Sequence, residues 1–157
     1  MTVVLDEVRR RLEGLVDEHR EMLRSSLDGL TEAEARRRLV PSKTTLLGLV
    51  KHVTYVEGIW FDQAITGRTT KEIGIASTPD RSFTLRKEDT IDSVREAHHT
   101  ACEASRAAVS DLSFDAVVTG RGQLTVWGIY THMLRELAQH CGHADILREQ
   151  ILAQRQD

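Results

Sequence analysis

Apolar residues recur at helical spacing over long stretches of this chain, and a period of that kind is satisfied by helices packed on one another. The first stretch carries Val4, Leu5, Val8, Leu12, Leu15, Val16, Leu23, Leu27 and Leu30, which predicts a helix over about 3–30. In TEAEARRRL, Thr31 with Glu34 three residues on is a capping-box pattern, and Pro41 closes that short helical piece. Further helices are expected over about 44–65, ending at Gly67, over about 90–112 and over about 124–154. GRTTKEIGIASTPDRSFTLRKED, residues 67–89, holds no sustained period and reads as a long connection with a short extended piece near Ser82–Leu85. SFDAVVTGRGQ reads as a second connection. Two prolines in 157 residues suit long helices. The expected fold is all-α: a four-helix bundle in one domain, 1–157, whose long connection permits a crossover. Leu12, Leu49, Val53, Trp60, Val94, Met133 and Leu137 are expected in its core.

Composition removes several function classes. A formal net charge of −3 with 29% charged residues gives neither sign dominance, which argues against nucleic acid or an anionic membrane as partner. The apolar run LLGLV is far too short to span a bilayer, and MTVVLDEVRRRL places acidic residues early, unlike a secretory signal. Cys102 and Cys141 are the two cysteines, and a domain of this size needs no disulfide framework, so a cytoplasmic location is expected.

The last helix raises the chemical question. HMLRELAQHCGHADILREQ, residues 132–150, sets three histidines and a glutamate among leucines. At about 100° per residue, and with His132 as zero, Glu136 falls near 40°, His140 near 80° and His143 near 20°. Ile129, Met133, Leu137 and Leu147 fall between about 60° and 140°, so His140 lies in the apolar stripe and Glu136 at its border. Burying that carboxylate unpaired would cost several kcal/mol or neutralise it. In LLGLVKHVTYVEGIW, His52 sits beside the stripe formed by Leu46, Leu49, Val53, Val56 and Trp60. His52, Glu136 and His140 together offer two imidazoles and a carboxylate, a set that suits zinc and leaves a coordination position open. An inward histidine is more often a hydrogen-bonded core residue than a ligand, so the residues alone leave both readings standing. A di-iron carboxylate site is disfavoured, because Glu96–His99 is the one clear Glu-x-x-His.

Other residues carry weaker signals. His132 is roughly 12 Å along the axis from His140 and cannot share one ion with it, so it reads as a pocket or surface residue. His143, one turn past His140, reads as a pocket donor or competing ligand. Of His98 and His99 at most one can face the core, and solvent is the default for both. Cys141 points about 100° away from His140 and reads as a packed or surface thiol, and Cys102 as a small core residue. Trp60 and Trp127 either line the mouth of the site or pack as core aromatics.

The segments TVWGIYTHMLRELAQHCGHADILREQI, TTLLGLVKHVTYVEGIWFDQAITG and TPDRSFTLRKEDTIDSVREAHHTAC resemble the DinB-like superfamily, in its actinobacterial branch, over nearly the whole chain. The resemblance implies a four-helix bundle with a divalent metal held by one residue of the second helix and two residues one turn apart on the fourth. Those positions are His52, Glu136 and His140. Many relatives have a third histidine where Glu136 stands. The His–Glu–His pattern is similar to the metal-binding domain of mycothiol-dependent maleylpyruvate isomerase, whose additional C-terminal domain has no counterpart here. The resemblance implies zinc, with nickel as the other candidate, and a homodimer. It also implies transfer of a low-molecular-weight thiol, of the mycothiol or bacillithiol type, to a small electrophile. The residues leave two other readings in place: a zinc hydrolase with an activated water, and a non-catalytic, stress-related metal-binding bundle.

Overall fold

The computed structural model describes residues 2–155, so the first position and the last two of the expected 1–157 span lie outside it. Helix α1 runs Thr2–Ser25 and buries Val16 and Leu23. It stops short of the expected residue 30, because Ser26 turns back with its Oγ on the Leu23 carbonyl, and Gly29 takes the left-handed φ of 70°. Helix α2, Glu32–Ala35, opens with the capping box expected at Thr31 and Glu34, both of its hydrogen bonds formed.

Helix α3, Leu46–Glu57, starts at the Thr45 cap and passes into a π-helical turn, Gly58–Gln63, and then α4, Ala64–Thr66. Gly67 ends it with φ 76°. The π turn corrects one expectation. Its wider turn makes the register lag behind α spacing, so Phe61 becomes the fully buried aromatic while Trp60 is half-buried. Leu12 is also half-buried rather than enclosed; Leu49, Val53, Val94, Met133 and Leu137 are buried as expected.

The 67–89 connection is more ordered than its composition predicts. It contains α5, Thr70–Ile73, and α6, Pro79–Ser82, capped by Thr69 and Thr78. The extended piece expected near Ser82–Leu85 does not form, because Ser82 ends α6 and Phe83 stays in the right-handed helical region. Helix α7 spans Ile91–Val109. The second connection holds a small antiparallel pair, β1 (Val117–Val118) with β2 (Leu124–Thr125), and Gly120 donates its N–H to the Ala64 carbonyl at 2.9 Å. Helix α8, Val126–Ala153, therefore begins two residues later than expected, at the Thr125 cap.

The fold is mostly α, with the two-stranded ribbon as its small β component. Cross-helix bonds fix the relative directions of the long helices. Glu13 meets Tyr130, His19 meets Cys141 and Ser26 meets Arg148, so α1 and α8 run in the same sense. Lys51 meets Asp89 just before α7 and Glu57 meets Ser105, so α3 and α7 also share a sense. Asp17 pairs with Arg106 and Asp28 with Arg95, which sets α1 antiparallel to α7. One core cluster draws Val16 and Leu23 from α1, Leu49 and Val53 from α3, Val94 and Val109 from α7, and Met133 and Leu137 from α8. No described helix is long and apolar enough to cross a membrane.

Candidate metal centre

His52 is carried into the interior by the Leu49–Val53–Val56 face of α3 and keeps 6% of its surface. Glu136 and His140, one turn apart on α8, meet it there. One donor atom from each of His52, Glu136 and His140 lies within 4.8 Å of the other two. The His52 and His140 rings are 4.9 Å apart at 79°, and His140 Nε2 is 3.6 Å from Glu136 Oε2. Tetrahedral zinc with ligands near 2.1 Å needs donors about 3.4 Å apart, close to the 3.6 Å already found between His140 and Glu136.

The hydrogen-bond inventory separates this trio from ordinary core histidines. His140 Nδ1 is buried without a partner among the described residues, and Nε2 has only the 3.6 Å approach to Glu136, too long for a hydrogen bond. An ion in the trio would occupy one of these two nitrogens, which no contact of the described residues satisfies. His52 differs, since its Nδ1 lies 2.6 Å from Ser82 Oγ and Phe83 stacks on its ring at 4.0 Å, 11° from coplanar. Burial, and then the neighbouring His140, push the His52 pKa down to about 4. Burial also lowers His140, partly opposed by Glu136. Both rings are thus neutral at pH 7, the form that donates a lone pair to a cation. The donor set fits a divalent ion of the zinc type.

The four residues expected around the pocket divide. His132 Nε2 is 3.6 Å from Glu136 Oε1, and its ring packs on Trp60 at 3.7 Å, over which Arg121 also sits. His143 is exposed, with its ring 5.6 Å from that of His140. Trp127 stands apart from the trio. It leaves 49% of its surface exposed in the first turn of α8, and the aromatic contacts of the trio do not include it. Its place in that first turn puts it more than one helical turn before His132, off the end that carries the trio.

A second cluster escaped the sequence reading. Glu57, His98 and Cys102 also bring donor atoms within 4.8 Å of one another, in full burial. His98, for which solvent was the default, has no exposed surface, because α7 turns it toward Arg24 rather than outward. Glu57 is already satisfied: Arg20 holds both its oxygens at 2.7 Å, and Ser105 donates at 2.6 Å. A cation there would face the Arg20 guanidinium, so the arrangement suits an ion-paired core and not a metal. Burial pushes the Cys102 thiol up to about 12, far from a reactive thiolate. The signal was available, since Arg20 stands four residues after Val16 and Glu57 four after Val53, both within apolar stripes.

A cleft of about 770 Å³ opens between α3, α7 and the 74–89 segment, with Lys43, Lys51, Arg81 and Arg86 among its lining residues. None of the three converging donors lines it, but Ser82 and Tyr55 belong both to its wall and to the surroundings of His52.

No curated protein matches the sequence. The sequence model of a family described as mycothiol-S-transferase matches residues 11–153, which include both helices of the trio and the connection that carries Ser82. The chain therefore belongs to the mycothiol S-transferase family, within the DinB-like group.

Proposed function

We propose that this protein is a metal-dependent S-transferase that joins a low-molecular-weight thiol of the mycothiol type to a small electrophile. The ion is held by His52, Glu136 and His140, with zinc the first choice and nickel the second. The observation that carries the reading is the convergence of these three donors around an imidazole that has no other partner, in a chain of this family. A divalent cation held there lowers the pKa of a thiol or water that joins it. The two neutral imidazoles supply lone pairs without adding charge. With the carboxylate of Glu136 ionised, the site would carry about one positive unit, which would favour an anionic sulfur. His132, packed on Trp60, flanks Glu136 on the side away from His140.

The reading extends to a DinB-like four-helix bundle in one domain over 1–157, acting as a homodimer in the cytoplasm. The shared sense of α3 and α7 supports the crossover, since the 67–89 connection must carry the chain back along the bundle.

The test supplies mycothiol, bacillithiol and glutathione separately, each with a panel of electrophiles, to metal-loaded and chelated protein. Mycothiol should be consumed above background only with metal, and His140→Ala should lose bound zinc on elemental analysis. Thiol-independent cleavage of ester or amide substrates, with no thiol consumed, would replace this reading with hydrolysis.

A further inference from the structure

We propose that Ser82 is a positioning residue that fixes the tautomer of His52, so that Nε2 presents its lone pair toward Glu136 and His140. The inference rests on the metal reading above for its purpose, but its geometry stands without an ion.

A serine hydroxyl has one proton and two lone pairs. Ser82 Oγ lies 2.5 Å from the Pro79 carbonyl and 2.6 Å from His52 Nδ1. A carbonyl oxygen can only accept, and two acceptors do not approach so closely with no proton between them. The serine proton is therefore committed to Pro79. The second contact needs its own proton, which comes from His52 Nδ1. With Nδ1 protonated, Nε2 of the neutral ring is the nitrogen left with a lone pair.

The surrounding chain is built for this contact. Thr78 caps α6 and Pro79 opens it, so Ser82 arrives at the helix end with 2% of its surface exposed. Phe83 follows and lies flat on the imidazole, which fixes the ring plane as Ser82 fixes the proton. Gly48, one turn before His52, lets that segment close down: a Cβ there would stand 2.8 Å from the Phe83 carbonyl oxygen. A hydrogen bond to the far nitrogen of a metal-binding histidine sets ring orientation, and its loss weakens metal affinity by about 10- to 100-fold.

Two measurements test it. In metal-free protein labelled with ¹⁵N-histidine, long-range ¹H–¹⁵N spectra should show His52 as the Nδ1–H tautomer, with its signals assigned by their loss in His52→Gln. In Ser82→Ala the Nε2–H form should appear, and the zinc Kd from chelator competition should rise about 10- to 100-fold, while Ser82→Thr keeps both near wild type. An Nε2–H tautomer in the wild-type protein overturns the proposal, as does a Ser82→Ala variant with unchanged tautomer. The wild-type spectrum requires no variant to fold. Should the wild-type protein bind no zinc, the metal reading fails while the tautomer measurement still decides the role of Ser82.

Discussion

Lowering the pH from 6.5 to 5 should cost the native state about 1.6 kcal/mol through His98 alone. Burial, and then the Arg24 and Arg20 guanidiniums, push its pKa in the fold down to about 3, against roughly 6.5 in the unfolded chain. The unfolded state therefore takes up the proton first. The stability that His98 contributes is fully present above about pH 6.5 and is lost as the pH falls toward 3. The slope approaches about 1.4 kcal/mol per pH unit and averages about 1.1 between pH 6.5 and 5, because the unfolded histidine is already half protonated at 6.5. His52, pushed down to about 4, has the same sign and nearly the same slope, so the pair should account for about 3 kcal/mol over that interval. Carboxylates held below their usual range, such as Asp17 and Asp89, begin to lose their contribution only nearer pH 4, which leaves this interval to the histidines. The perturbation is His98→Leu, which keeps the bulk and removes the titration. Urea unfolding at pH 6.5, 5.75 and 5, with chelator present to remove any metal linkage, gives the slope of stability against pH for both proteins. The substitution also removes the His98 contacts with Arg24 and Cys102 and so shifts absolute stability, which is why the slopes are compared. The variant's slope should be shallower by about 1.1 kcal/mol per unit, and equal slopes would refute the claim that His98 is folded in as a neutral, buried base.

Two further outcomes follow from the packing. Glu57→Gln should destabilise the fold by about 3–5 kcal/mol in urea unfolding, because the buried Arg20 would lose its buried bidentate partner and keep only the half-exposed Asp17 as counterion; a loss under about 1 kcal/mol would contradict that pairing. Gly120→Ala should cost about 1–3 kcal/mol or more, seen as a lowered Tm, since a Cβ there would sit 2.1 Å from the Gln63 carbonyl oxygen and 2.6 Å from the Gly67 nitrogen.

The long helices were legible because each buries a stripe at helical spacing and most begin at a threonine whose side chain can cap, as at Thr45, Thr90 and Thr125. Their exact ends were not, since Ser26 and the β1–β2 ribbon compete locally with helix by hydrogen bonds that carry no period. The π turn was invisible for a related reason: one altered turn at Gly58–Gln63 exchanges Trp60 for Phe61 in the core without changing which residues are apolar. The same division runs through the candidate site. His52, Glu136 and His140 could be picked out because each sits at a definable angle to an apolar stripe. Ser82 could not, because it lies in a stretch whose only order comes from short capped turns, and its partner is thirty residues away. Arg20 and Glu57 stand between these cases. Helical spacing alone places a charge in each of two buried stripes, and the cost of burying either one unpaired demands a counterion. What spacing cannot supply is the rotation of α1 against α3 that brings those two charges together over a separation of 37 residues. Angular position on one helix thus predicts that a polar group must find a partner in the interior, while the choice of partner depends on how the helices are set against one another. That is why the donors of the proposed centre were readable in the sequence, and the serine that orients one of them was not.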